Sequence, residues 1–137
     1  MKTKPRVIGL GGIFFKAANP PKLQAWYQKH LGLPIEPWGG CTFHWRDAKN
    51  PRRKRYTVWS AFETDTKYFR PSKKPFMVNY QVADLKRVLA ALKREGVRVD
   101  PKTEESEFGK FGWIMDPEGH RIELWQPPEP KRKRAKK

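Results

Sequence analysis

The run Asp116-Pro117-Glu118-Gly119-His120-Arg121-Ile122-Glu123-Leu124-Trp125 constrains the fold more than any other part of this chain. Proline fixes its own φ and glycine takes positive φ freely, so Asp-Pro-Glu-Gly predicts a tight turn. A strand follows from Gly119 to Trp125, and strand side chains alternate between faces. Arg121, Glu123 and Trp125 then share one face, while Ile122 and Leu124 take the other. With Ile122 and Leu124 packed on a helix, Glu123 looks into whatever lies opposite, a single carboxylate among apolar neighbours.

Upstream, the chain predicts one unit twice: a strand, a helix and three strands. In the first helix Asn19 caps, Pro20 suits the first helical position, and Leu23, Trp26, Tyr27 and Leu31 form an apolar stripe that stops at Gly32. In the second Asp84 caps, and Leu85, Val88, Leu89 and Leu92 repeat the helical spacing before Gly96. Strands are expected ahead of the helices at Val7 to Ala17 and Phe76 to Val82. After the first helix come Pro34 to Trp38, Cys41 to Arg46 and Thr57 to Phe62. After the second come Val97 to Asp100, Lys110 to Met115 and Gly119 to Trp125. Glu63 to Pro75 is the link between halves, and Lys102 to Glu107 is expected to be a loop.

These segments resemble the vicinal oxygen chelate superfamily, the group of glyoxalase I, extradiol dioxygenases and bleomycin-resistance proteins. The resemblance rests on the Asp116 to Leu124 run, on Gly11-Gly12-Ile13-Phe14-Phe15-Lys16, on Trp26-Tyr27-Gln28-Lys29-His30-Leu31-Gly32-Leu33, and on Met77-Val78-Asn79-Tyr80-Gln81-Val82-Ala83-Asp84-Leu85. It implies an α+β fold in which two tandem βαβββ modules, about 7–64 and 76–128, form a curved mixed sheet around a cleft, with helices on the convex side. Residues 1–130 would make a single glyoxalase-like domain, followed by a disordered basic tail at 131–137. It also implies a homodimer.

Charge narrows the choice of partner. The formal net charge is +16, and six of the last seven positions, Lys131 to Lys137, are basic. A second basic cluster, Arg46 to Arg55, is expected to be an exposed loop or hairpin end. Such clusters attract phosphates, anionic surfaces or acidic ligands without selecting among them, so nucleic-acid association through loop and tail is one reading and a solvated basic surface the other. A strongly basic protein repels a cationic glycopeptide such as bleomycin, which favours a neutral or anionic aromatic ligand. No apolar run approaches the roughly 20 residues that cross a bilayer, and the single Cys41 allows no internal disulfide. The expectation is a cytoplasmic protein with no membrane contact, in which Cys41 is a small buried residue.

Enzymes of the resembled superfamily hold a divalent metal on the first and last strands of each half, and the resemblance carries these positions to Gly12, Met77 and Glu123, with the fourth near Ser60. Only Glu123 offers a hard ligand, whereas a divalent ion needs about three. His44, alternating with Thr42 and Arg46, and Glu63, just past a strand end, are the replacement ligands to weigh; His30, at a helix end, and His120, in the turn, read as structural. No cofactor is firmly expected, and a metal held by Glu123 with His44 or Glu63 is the alternative. Alternation places Phe14, Lys16, Asn79, Gln81, Trp113, Arg121 and Trp125 around Glu123 in the cleft. They either line a pocket for a small aromatic or anionic molecule or fill the cleft as core. Glu123 is the candidate acid or base if a reaction occurs, of glyoxalase-type lyase or extradiol-dioxygenase kind.

Overall fold

A computed structural model describes residues 6–129, so the basic tail lies outside the described residues. The chain runs β1 (Val7–Ala17), α1 (Pro20–Leu31), β2 (Gly40–Asp47), β3 (Asn50–Glu63), β4 (Phe76–Val82), α2 (Leu85–Arg94), β5 (Arg98–Ser106), β6 (Gly109–Met115) and β7 (Arg121–Gln126). All seven strands join one mixed sheet in the order β2-β3-β1-β4-β7-β6-β5. Antiparallel β1 and β4 meet at its centre, and each is flanked by a parallel partner, β3 for β1 and β7 for β4. The two halves are thus arranged alike about the β1–β4 seam, the α+β architecture expected from the repeat.

Several boundaries differ from the sequence expectation. The strand expected at Pro34 to Trp38 does not form. Pro34 and Pro37 bring no amide hydrogen to a ladder, and the segment closes a turn instead, with Gly39 N–H donating to Glu36 O at 2.9 Å. Lys102 to Glu107 is not a loop up to Ser106; β5 continues through it, opposite β6 from Thr103 to Ser106. The β5–β6 register skips between Val99 and Thr103, so the strand bulges at Asp100-Pro101-Lys102. The basic cluster also lies mostly in strand, since β3 begins at Asn50 and only the β2–β3 turn interrupts it. The last strand starts at Arg121 rather than Gly119, because Gly119, at φ 88, still belongs to the turn.

The helices are capped as their sequences indicate but pack unequally. Asn19 and Asp84 side chains accept from the amides of Lys22 and Arg87 at 3.1 and 3.2 Å. Gly32 closes α1 in the left-handed region at φ 68. Helix α2 buries Leu85, Val88 and Leu89 against Val82 and Leu124, with Ile114 and Ile122 packed alongside. Each such aliphatic side chain stabilises the fold by about 1.5–3 kcal/mol relative to exposure. Helix α1 fully buries only Pro20, while Trp26 and Leu31 stay 52 % and 61 % exposed. Its expected stripe is therefore only partly used: Tyr27 rests on Trp59 at 5.0 Å, and Trp26 meets Tyr27 edge-on and His30 at a tilt.

The face opposite α2 carries a second cluster, Phe14, Phe69, Met77 and Trp113, with Val58, Phe62 and Phe111 against it. Phe69 comes from the link between the halves. That segment folds down over the sheet rather than merely joining its ends, and Phe69 is fully buried.

Candidate functional site

Register brings the site residues into rows across the sheet. One row reads Thr42, Val58, Gly12, Asn79, Glu123, Trp113, each the backbone partner of the next. Residues in one row and on one face touch across strands. Glu123, 2 % exposed, takes three hydrogen bonds there. Asn79 Nδ2 donates to Oε1 at 2.6 Å, Trp113 Nε1 donates to Oε2 at 2.9 Å, and the Tyr68 hydroxyl donates to Oε2 as well. Asn79 Oδ1 is buried with no partner among the described residues.

Burial raises the Glu123 carboxyl pKa, and the three hydrogen bonds, with Arg121 nearby, oppose that rise without cancelling it. Burial and the adjacent carboxylate together hold the Tyr68 phenol in its protonated form far above the ordinary range. Tyr68 therefore keeps its proton and donates it to Glu123 Oε2.

These surroundings do not fit a divalent metal. A side chain on Gly12 would start 2.6 Å from the Phe14 ring, so the position is already filled. Met77 packs within the aromatic cluster. The groups nearest Glu123 present hydrogens to it rather than lone pairs to a cation. Among the described residues no group of three His, Cys, Asp or Glu side chains is placed to hold a metal. His44 is exposed, with Nε2 3.3 Å from Thr42 Oγ1 and the ring against Tyr56 at 5.8 Å. Glu63 ends β3 opposite Ala17, exposed.

The other cleft residues divide among three places. Phe14 joins the buried cluster, and Lys16 Nζ sits 5.8 Å from the Phe69 ring at its edge. Arg121 lies over Trp113 at 5.0 Å, donates to Arg70 O, and reaches Asp100 Oδ2 at 3.6 Å. Gln81 and Trp125 form the floor of a cavity of about 320 Å³ with Tyr56, walled by Arg52–Arg55 and Pro127–Pro128. Gln81 Nε2 donates to Tyr56 O at 2.7 Å and its Oε1 accepts from Arg55 at 3.3 Å. The Trp125 ring stacks on Phe111 and meets Tyr56 edge-on.

The basic stretch serves this cavity unevenly. Arg55 is held by Asp47 at 3.2 Å, and Arg53 bonds to Pro128 O at 3.1 Å beside Glu129. Arg52 and Lys54 remain exposed on the rim. Sequence reasoning missed Tyr68 and Phe69, although two adjacent aromatics inside an otherwise polar link were a readable sign of docking. It also missed Tyr56, whose alternation with Val58 puts it on the cleft face.

The chain matches the glyoxalase-like domain family over residues 12–125 and belongs to it. Solved structures with the same fold include a methylmalonyl-CoA epimerase from Mycobacterium tuberculosis, 19 % identical, covering 94 % of both chains at a TM-score of 0.58. A methylmalonyl-CoA epimerase from Streptomyces coelicolor is 13 % identical over 90 % of this chain and 99 % of that one, at 0.64. A 2,3-dioxygenase from Pseudomonas sp. KL28 is 20 % identical, covering 89 % of this chain and 41 % of its own length, at 0.57. These neighbours show that the two-module fold is shared. No curated protein matches the sequence. No helix among the described residues is long and apolar enough to cross a membrane.

Proposed function

We propose that this protein binds a small anionic molecule with a planar apolar body in the cavity formed by Arg52–Tyr56, Gln81, Trp125, Pro127 and Pro128. The observation that carries this reading is the pairing of an aromatic floor, Tyr56 and Trp125, with a rim of four consecutive cations. A planar ring is stabilised on such a floor, and its anionic group gains from Arg52 and Lys54 without displacing an existing ion pair. The +16 charge steers an anion to the site.

Calorimetric titration of the full chain with benzoate, salicylate and naphthoate tests it, with intrinsic tryptophan fluorescence as a second signal. Saturable binding is expected, weakened about tenfold in Arg52→Gln/Lys54→Gln and weakened by salt in the wild type. No saturable binding of any of the three would overturn the reading.

Nucleic acid is the runner-up partner, through the same basic hairpin. The inward turn of Arg53 and Arg55 onto Pro128 and Asp47 favours the small anion, because it leaves fewer guanidinium groups for a phosphate backbone. If a reaction accompanies binding, Glu123 is the proton-transfer residue, since burial raises its pKa above the ordinary carboxyl value and eases proton uptake. A homodimer is part of this reading, supported by the exposed Trp26, Leu31, Trp38 and Phe43 of the first half. Light scattering on the eluting protein decides it.

A further inference from the structure

The Tyr68 side chain occupies a slot that a separate molecule of like shape can fill. Its ring stacks on Phe62 at 5.7 Å and 10°, meets Trp113 edge-on at 6.3 Å and 89°, and touches Phe69 at 6.5 Å. At the blind end stands Glu123, whose Oε2 accepts both the Tyr68 hydroxyl and Trp113 Nε1. Aromatic walls closed by a single acceptor describe a phenol receptor, and the chain supplies its own phenol.

We propose that this slot is a binding site for a neutral hydroxyaromatic ligand, which donates its hydroxyl to Glu123 and takes the place of the Tyr68 ring. It goes beyond the anion cavity and does not depend on it: on β3 the two lie on opposite sides of Val58, with Phe62 at one and Tyr56 at the other. The chemical preference also differs. A buried carboxylate repels a second negative charge, so the slot selects a neutral phenol over a carboxylate or phenolate.

The strap is built so that Tyr68 can leave without the rest. Tyr68 is 37 % exposed, whereas its neighbour Phe69 has no exposure at all. Ser72 Oγ donates to Gly119 O at 2.6 Å, Lys16 N–H donates to Pro75 O at 2.7 Å, and Arg121 donates to Arg70 O. These anchors and Phe69 hold the strap down, and rotation of the Tyr68 side chain alone opens the slot to solvent. The incoming hydroxyl then restores the bond that Glu123 loses, so no buried acceptor is left short. Because Tyr68 competes intramolecularly, at high effective concentration, the wild-type site takes its ligand weakly.

The test uses para-cresol, with toluene as the control lacking the hydroxyl, on the full chain. Tyr68→Ala is expected to bind para-cresol at least about tenfold more tightly than wild type and to prefer it to toluene. Adding Glu123→Gln should remove that preference. Tyr68→Phe keeps the ring but not the bond to Glu123, so it should bind para-cresol a few-fold more tightly than wild type, which keeps the test open if the alanine variant misfolds. Wild type should bind at the same site, with Tyr68 becoming more accessible to nitration as para-cresol is added. Equal affinity for toluene and para-cresol in Tyr68→Ala would overturn the proposal. So would binding confined to the variants, which would make Tyr68 a permanent part of the core.

Discussion

Asn79 donates its Nδ2 hydrogen to Glu123 Oε1 at 2.6 Å, and the same two residues are backbone partners in the parallel pair β4–β7. Side chain and ladder therefore hold one another in place. The amide orientation follows from the carboxylate it serves, and it leaves Oδ1 turned to the backbone near Gly11. The centre of the cleft is organised around Glu123, which three neutral donors serve while its burial makes ionisation costly.

That cost gives a pH signature. The folded pKa of Glu123 lies above its ordinary 4.5. A carboxyl whose folded pKa is raised contributes most favourably below the unfolded value, and the contribution is lost as pH rises through the folded one. Urea unfolding of wild type and Glu123→Gln between about pH 4 and 8 should show wild type losing ground to the variant as pH rises. A constant difference would mean that Glu123 titrates alike in both states.

Phe69 is the pin that keeps the strap on the sheet. Phe69→Ala should destabilise the protein by about 3–5 kcal/mol, the usual cost of emptying a large aromatic site. Limited trypsin digestion should then cut after Lys67 and Lys73 well before the rest of the chain, as the strap opens locally. A strap equally protected in both proteins would show that the polar anchors suffice.

The two helices should answer differently to truncation. Leu89→Ala removes a buried contact beneath α2 and is expected to cost about 2–5 kcal/mol. Leu31→Ala, on the exposed end of α1, should change stability by no more than about 0.5 kcal/mol in the isolated chain. Chemical denaturation of both variants checks the contrast.

Gly11 is a close-approach position. A Cβ there would meet Asn79 Oδ1 and stand 2.9 Å from Trp125 Cε3. Gly11→Ala should cost about 1–3 kcal/mol through the forced shift of two packed side chains. It should also weaken ligand binding at the Trp125 floor, a coupled effect that titration of the variant would show.

Much of this arrangement was legible in the chain. Alternation from Gly119 correctly assigned Glu123 and Trp125 to one face and Ile122 and Leu124 to the other, because a half-buried strand has a strict period of two. The Leu85, Val88, Leu89 spacing found a real helix core for the same kind of reason. Spacing failed for α1, since periodicity marks which residues share a face but not whether a surface waits to receive them. Trp26 and Leu31 had none. The basic run from Arg46 to Arg55 is expected to be an exposed loop or hairpin end, yet most of it lies in strand, and Arg53 and Arg55 turn inward together. Tyr68 reached Glu123 across 55 positions of sequence, a contact that no local pattern carries.

The bulge at Asp100-Pro101-Lys102 has a bearing on how the protein behaves when crowded. An open sheet has two free margins, each a template for a foreign strand. On β5 the ladder is interrupted for three residues, Pro101 brings no amide, and Lys102, Glu104 and Glu105 scatter charge along the rest. On β2 the pairing runs unbroken from Gly40 to Arg46, with Phe43 exposed beside it. Fibrous assembly, if concentrated protein is driven to it, must start from the β2 margin and will find no matching edge on the far side of the molecule from which to continue.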